Sequence, residues 1–400
     1  MYSDSIVEKL KWSLPWLVRY PVWRLQEIFN RSSVTEPTHI IFLIADHFEP
    51  GMGDEGLFRL DKWCETARAT GDRIRDHDGT AFRHTNFFPA EQYDYRQLEM
   101  LGSLQAAGYG EVEVHFHHGV EAPDTSSNTQ KILEEFRDRL AFDHRCLSRE
   151  TPHSLPKYGF VHGNWALANS AGGRFCGVDN EMQILAVTGC YADFTLPSAP
   201  DESQVPKLNA IYQCGNPFDQ ARPHRSGPDL KVGDKPKLPI IFTGPLIFDW
   251  SRRVRGLPVP RIDDGALAQN YPLSLERFRR WQSARIRVQG RPNWIFIKLY
   301  CHAFFEWDQD TMIGEELCRF MDEVMNLAER SRKFRIHFTS AREAYNLVIA
   351  AMEGKTGDPD EYRNYQLRQI MQESVVEDVV GEHASDRLQS LEITENALRN

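Results

Sequence analysis

The run Glu111-Val112-Glu113-Val114-His115-Phe116-His117-His118-Gly119 carries the densest chemistry in the chain. Apolar and polar residues alternate along it as on a half-buried strand, so His115 and His117 leave the same side of the pleat. Neutral imidazole is a common ligand for borderline-soft cations, and two imidazoles held by one strand end form most of a zinc-type site. His118 follows at once, making His115, His117 and His118 the candidate ligands of this segment. Short histidine runs also occur on plain surfaces. What separates the two readings is whether other segments bring matching groups to the same place.

Several do. Asp46-His47 closes the apolar run 39–45, His162-Gly163-Asn164-Trp165 follows the strand-like 158–161, Asp193 lies in 191–196, and His302 ends the run that begins at Trp294. These runs alternate with helical patterns. Asp94 stands before a helix with Leu98, Leu101 and Leu104 on one face and Gly108 at its end. Asn128 is read as the cap of another, with Ile132, Leu133, Phe136 and Leu140. Further helices are expected at 60–76, 181–187 and 341–352, and one on the stripe Leu317, Phe320, Met321, Val324, Ala328. Further strands are expected at 82–88, 238–242 and 334–338. Such alternation predicts an α/β fold with parallel strands, closed or doubly wound. In these folds chemistry gathers at the carboxyl ends of the strands, where the residues named above fall.

The chain divides accordingly. Residues 1–37 form an aromatic-rich extension, 38–352 the α/β body with an insertion at about 197–289, and 353–400 an acidic tail read as polar, helical and loosely attached. The 400 residues, 41% hydrophobic and 26% charged, suit a soluble enzyme-sized protein with a sizeable core. A formal charge of −10 argues against a dedicated nucleic-acid binder. Ten arginines between 251 and 291 are the local exception, read as a solvated face or a steering patch for an anion. Seven scattered cysteines, without a Cys-x-x-Cys pair, predict reduced thiols in a cytoplasmic protein. At the N-terminus Trp12, Trp16, Tyr20, Trp23 and Phe29 are interleaved with Lys11, Arg19 and Arg24. Pro15 and Pro21 interrupt this stretch, so one continuous helix is not expected. Its composition suits either peripheral membrane contact or packing on the body.

The strand-end residues resemble those of the NodB-type polysaccharide deacetylase superfamily. That resemblance implies a deformed (β/α) barrel of seven strands over about residues 38–352, here with an insertion and terminal extensions. It places Asp46 as general base and His47 where the family has a ligand carboxylate. His115 matches the first histidine of the family's metal pair. Position 119, where the second would stand, is glycine, leaving His117 or His118 as the partner. His162-Gly163-Asn164-Trp165 takes the place of an arginine-containing motif, and Asp193-Phe194 loosely matches an Asp/Trp motif. These make His162, Asn164, Trp165 and Asp193 substrate-binding candidates. Leu299-Tyr300-Cys301-His302 matches the late Leu-x-x-His, making His302 the general acid.

The activity implied is a metal-dependent hydrolysis that removes acyl groups from an amino sugar or polysaccharide. The ion would be zinc, with nickel, cobalt or manganese as substitutes. Trp165, Phe194 and Trp307 are candidates for a wall on which a sugar stacks. Other readings of the same residues are an amidohydrolase-like enzyme, a metal-dependent glycoside hydrolase using Asp46, Glu49 or Asp193, and a barrel that binds glycan or a partner without catalysis.

Overall fold

The computed structural model describes residues 5–29 and 37–373. Its centre is one sheet of nine strands: β1 (Thr38–His47), β2 (His84–Pro89), β3 (Gly110–Phe116), β4 (Tyr158–His162), β5 (Cys190–Asp193), β6 (Ile211–Tyr212), β7 (Ile240–Phe242), β8 (Trp294–Cys301) and β9 (Phe334–Thr339). The order is β8-β1-β2-β3-β4-β5-β7-β6. One side of β1 is taken by β8. The other is shared, with β9 along Thr38–Leu43 and β2 along Ala45–His47. Every pairing is parallel except that of β6 with β7. The protein is therefore α/β with a large, mainly parallel sheet. Its nine strands exceed the expected seven because β9 and the short β6 add to a parallel path of seven, and among the described residues no ladder joins β6 to β8.

Both faces of the sheet are covered. Helices α3 (Gly53–Arg73), α4 (Tyr95–Ala106), α5 (Ser126–Asp138), α6 (Glu181–Thr188), α7 (Leu275–Ala284) and α8 (Glu315–Ser331) pack on the face that carries Ile40, Phe42, Ile44, Val112, Val114 and Phe160. The opposite face carries Ile41, Leu43, Ala45, Phe87, Val161, Phe194 and Phe296, packed with helix α9 (Ala341–Met352). Double coverage explains why β1 reads as an unbroken apolar run. Local chemistry sets the helix ends. Asp94 accepts from the Arg96 and Gln97 amides at the start of α4. The cap of α5 is Thr125 rather than Asn128, its hydroxyl accepting from the Asn128 amide at 3.3 Å. Helix α3 begins at Gly53, earlier than expected, with Asp54 and Glu55 complementing its positive end.

The extensions are more closely attached than the sequence suggests. Two helices, α1 (Ile6–Leu17) and α2 (Tyr20–Phe29), meet at residues 18 and 19, with Pro15 late in the first and Pro21 early in the second. Trp16 is buried and stacks on Phe248 with ring centroids 5.6 Å apart. Residues 354–373, expected as loose tail, strap across the body. Arg363 reaches Asp76 at 3.1 Å, and Leu367 and Ile370 are buried, because the segment supplies both apolar side chains and carbonyls to a buried arginine of α9. The remainder of the expected tail, 374–400, lies outside the described residues.

Part of the arginine-rich stretch is exposed, Arg252, Arg253, Arg255 and Arg279 among it, and part is drawn into ion pairs. Arg277 is fully buried against Asp263, Arg280 reaches Asp249 at 3.2 Å, and Arg287 reaches Glu27 of α2 at 2.8 Å. These charges hold the insertion and the N-terminal helices to the body. All seven cysteines are free and buried.

Candidate metal centre

The carboxyl ends of β1 and β3 lie side by side through β2, so their last side chains converge. On β1 the residues sharing a face with Ile41, Leu43 and Ala45 are His47 and, just beyond the strand, Glu49. On β3 the matching residue is His115, and His117 follows in step. His47, Glu49 and His115 offer ligand atoms all within 4.8 Å of one another. Glu49 Oε1 lies 3.3 Å from His115 Nε2 and 3.6 Å from His117 Nε2.

Hydrogen bonds to the far side of each ring fix which nitrogen is bare. His115 Nδ1 faces the Val161 carbonyl at 2.8 Å, and a carbonyl only accepts, so Nδ1 carries the proton. Its Nε2 lone pair therefore points at the Glu49 carboxylate. His117 Nδ1 donates to Glu91 Oε1 at 2.6 Å, a carboxylate–imidazole pair that turns its own Nε2 toward Glu49. With both rings neutral, two lone pairs and an anionic oxygen thus face one another, and a cation must lie between them, either a proton on an imidazole or a metal ion. A divalent cation resolves that arrangement, and the partners at the back of each ring are those that orient metal-bound histidine. The residues present fit such an ion, with His47, Glu49 and His115 as three ligands and His117 beside them.

The surrounding electrostatics differ from ring to ring. Burial, aided by the neighbouring rings of His302 and His115, holds the His47 imidazole well below its usual pKa. Burial also lowers His302. For Glu49 burial favours the neutral acid, but the neighbouring rings of His115, His117 and His302 outweigh it and hold the carboxyl low. Burial likewise opposes the charged form of His117, yet the Glu91 bond prevails and raises it. Glu49 and His117 are both partly open to solvent, as a reacting centre requires.

His302 belongs to this group. Its ring stacks on His47 at 4.6 Å and on Phe305 at 4.8 Å, and Phe305 stacks in turn on Trp307 at 5.1 Å. Trp307 is 65% exposed, so an aromatic ledge leads from solvent to the histidines. Tyr300, with its hydroxyl on Asp264 at 2.7 Å, stands 6.3 Å from the His47 ring.

The other expected residues are placed differently. Asp46 leaves β1 on the opposite face, where Oδ2 meets His84 Nδ1 at 2.8 Å and Oδ1 accepts from the Ala303 amide at 2.8 Å. It anchors the turn after His302 rather than standing beside His47. His118 and His162 also point to the helix side, with His118 Nε2 on His162 Nε2 at 3.1 Å, because strand alternation separates 116 and 118 from 115 and 117. Asp193 is buried and bonded to Thr195, and burial pushes its carboxyl up to about 7. Its neighbour Lys298 is brought down to about 7 by burial and donates to the Leu196 carbonyl at 2.8 Å. Asn164 and Trp165 lie in the loop after β4, both with left-handed backbone. The first residue of that loop, Gly163, lies against His117, where an added Cβ would come within 2.3 Å of the imidazole ring. Phe194 is core, stacked on Phe242 at 5.3 Å.

Glu49 and Glu91 are the residues that the sequence reading misses as partners of the histidines. It also expects no Gly-x-Gly-x-x-Gly after any strand, yet Gly51-Met52-Gly53-Asp54-Glu55-Gly56 has that spacing and lies between β1 and α3. The structure gives these glycines another use. Gly51 and Gly53 have positive φ, and a Cβ on Gly56 would lie 2.2 Å from the Gly51 carbonyl oxygen. Asp54 and Glu55 occupy the helix start, where a pyrophosphate would need to sit. The chain matches no protein-family model and no curated protein.

Proposed function

We propose that the protein is a metal-dependent hydrolase that removes acyl groups from a carbohydrate, on a β/α barrel of the deacetylase type. The reading rests above all on the bare Nε2 of His115 facing Glu49, with His47 and His117 converging on the same point. A divalent ion bound there, zinc by preference for imidazole and carboxylate, supplies Lewis acidity to a carbonyl and to water. The protein supplies position and proton transfer. His302, kept neutral by burial, accepts a proton beside His47 and returns it to a leaving group. Asp46 acts as a positioning residue, holding the turn from His302 to Ala303 through its backbone amide bond. Purified protein with near-stoichiometric zinc, nickel, cobalt or manganese that releases acetate from acetylated amino sugars would support this reading. A protein that takes up no metal at His115 after reconstitution would overturn it and leave a glycan- or partner-binding barrel.

The substrate class follows from the ledge beside His302. An exposed Trp307 stacked on Phe305 offers a flat apolar platform of the kind sugars stack against. Replacing Trp307 with alanine is expected to raise KM about two- to tenfold with kcat unchanged, the cost of one aromatic stacking contact. Steady-state kinetics on an acylated oligosaccharide check this.

A second contact is proposed for α1 and α2. Their inner stripe, Ser13, Trp16, Tyr20, Trp23 and Glu27, meets the body, while Val7, Leu10, Leu14, Val18, Val22, Leu25 and Phe29 are exposed on the other side. The outer residues keep helical spacing across the break between the helices, and Lys9, Lys11 and Arg19 are exposed beside them. An apolar stripe with flanking cations is the pattern of a segment lying in a membrane interface. No helix among the described residues is long and apolar enough to cross a membrane. Co-sedimentation with phosphatidylglycerol-rich vesicles is expected, and a Leu10→Asp/Leu14→Asp double variant should lose at least about tenfold in vesicle affinity.

A further inference from the structure

A second group of ligand atoms lies on the other side of the sheet. His118, His162, Cys176 and Glu181 are all buried, and their donor atoms lie within 4.8 Å of one another. The tautomers are again fixed from behind. His162 Nδ1 bonds the Gly163 carbonyl, and His118 Nδ1 faces Asp124 Oδ2 at 3.1 Å. Both Nε2 atoms are therefore bare in the neutral rings, yet they stand 3.1 Å apart. Glu181 Oε1 lies 3.0 Å from one and 3.3 Å from the other. Three acceptors at such distances need a cation between them, either a proton or a metal ion.

The dimensions suit either, and the surroundings favour the metal. Ligand bonds of 2.0–2.1 Å around a tetrahedral ion put neighbouring N and O ligands about 3.3 Å apart, close to the 3.0, 3.1 and 3.3 Å between these atoms. Cys176 Sγ, 3.6 Å from Glu181 Oε2, supplies the fourth donor and accepts from the Val178 amide at 3.4 Å. The segment between the second and third ligands is strained. Trp165, Ala168 and Phe175 have φ of 56°, 48° and 60°, values that persist in such residues only where the surroundings force them. The two ligand-bearing loops also lock together. The Asp124 amide donates to the Cys176 carbonyl at 2.8 Å, and Gly119 leaves no room for a Cβ there. His224 is fully buried close by, neither ring nitrogen having a partner among the described residues, and Glu181 and His162 are among the charges acting on it.

We infer that His118, His162, Cys176 and Glu181 form a closed, four-ligand structural zinc site that fastens the 163–176 loop to the end of β3. Full, buried coordination by protein side chains leaves no position for substrate, which distinguishes it from the partly open centre at His47. Its consequence for the first site is mechanical, since Gly163, next to His162, is the backbone against which His117 rests.

The test uses the full chain, loaded with zinc and freed of loosely bound ion. Two zinc ions per chain are expected in the wild type and one in His115→Ala. The ion remaining in His115→Ala should show one sulfur neighbour at about 2.3 Å by X-ray absorption. Cys176→Ser should lose that sulfur neighbour and melt earlier, while Cys301→Ser should not. A cobalt-loaded wild type should show a sulfur-to-cobalt charge-transfer band, which needs no variant and so survives any folding defect. No zinc in His115→Ala, a residual zinc without sulfur, or a sulfur signal indifferent to Cys176→Ser would overturn the inference. One sulfur-ligated zinc in the wild type, unchanged in His115→Ala, would uphold this site while sinking the hydrolase centre.

Discussion

His115→Ala is expected to remove one metal ion per chain and to lower kcat/KM by at least about a thousandfold, the loss of several kcal/mol of charge stabilisation in the transition state. The side chain joins two functions. Its Nδ1 proton ties it to the Val161 carbonyl, and its Nε2 is the lone pair nearest Glu49. Deletion leaves the carbonyl without that donor, at a cost of about 1–3 kcal/mol, which a domain of this size withstands. The variant should therefore fold, with a wild-type circular dichroism spectrum, and fail in metal retention and turnover. His118→Ala is the informative comparison. It is close in sequence but faces the helix layer, so the ion at His47 and Glu49 should stay. A His115→Ala protein that keeps full activity would exclude this centre.

The parity of β1 explains how much of this could be read from sequence. Alternation along β3 was visible, since Val112 and Val114 contrast with Glu111, Glu113 and His115, and it paired His115 with His117 correctly in space. Along β1 both faces are apolar, Ile40, Phe42 and Ile44 on one and Ile41, Leu43 and Ala45 on the other. Nothing in that pattern says which parity looks toward the centre, so Asp46 and His47 could not be told apart. Glu49 lies in step with His47 but beyond the strand, where the pattern stops. Only half of the second ligand group is marked in the sequence, His118 in the histidine run and His162 at a strand end. Cys176 and Glu181 reach His118 and His162 only because the 163–176 loop folds back through several left-handed residues. Strand and helix order was legible because each element carries its own periodicity. The terminal segments were not, since their attachment depends on single long-range partners such as Glu27 with Arg287 and Asp76 with Arg363.

The most consequential of these long-range partners is Arg342, and its loss should destabilise the protein by about 3–5 kcal/mol. Arg342 lies in the first turn of α9, 2% exposed, and its Nε and Nη2 grip Glu111 of β3 at 3.0 and 2.8 Å. The remaining nitrogen donates to Asn364 Oδ1 at 2.7 Å and to the Leu367 carbonyl at 3.0 Å, drawing the 354–373 strap onto the sheet. In Arg342→Ala the Glu111 carboxylate keeps only Gln369 Nε2, at 2.7 Å, among these donors. An ionised, nearly unpaired carboxylate in a buried setting is the main penalty, larger than the lost contacts themselves. Arg342→Lys should recover only part of the loss, because an ammonium cannot reproduce the planar fork. The double variant Arg342→Met/Glu111→Leu should recover more than either single change, since it removes both charges together. Urea unfolding of the wild type, Arg342→Met, Glu111→Leu and the double variant gives the coupling directly. Limited proteolysis supplies an independent reading, with cleavage between 354 and 373 rising in Arg342→Ala before the body unfolds. A cost below about 1 kcal/mol, or a double variant no better than the sum of the singles, would mean that the strap is held by its apolar residues alone.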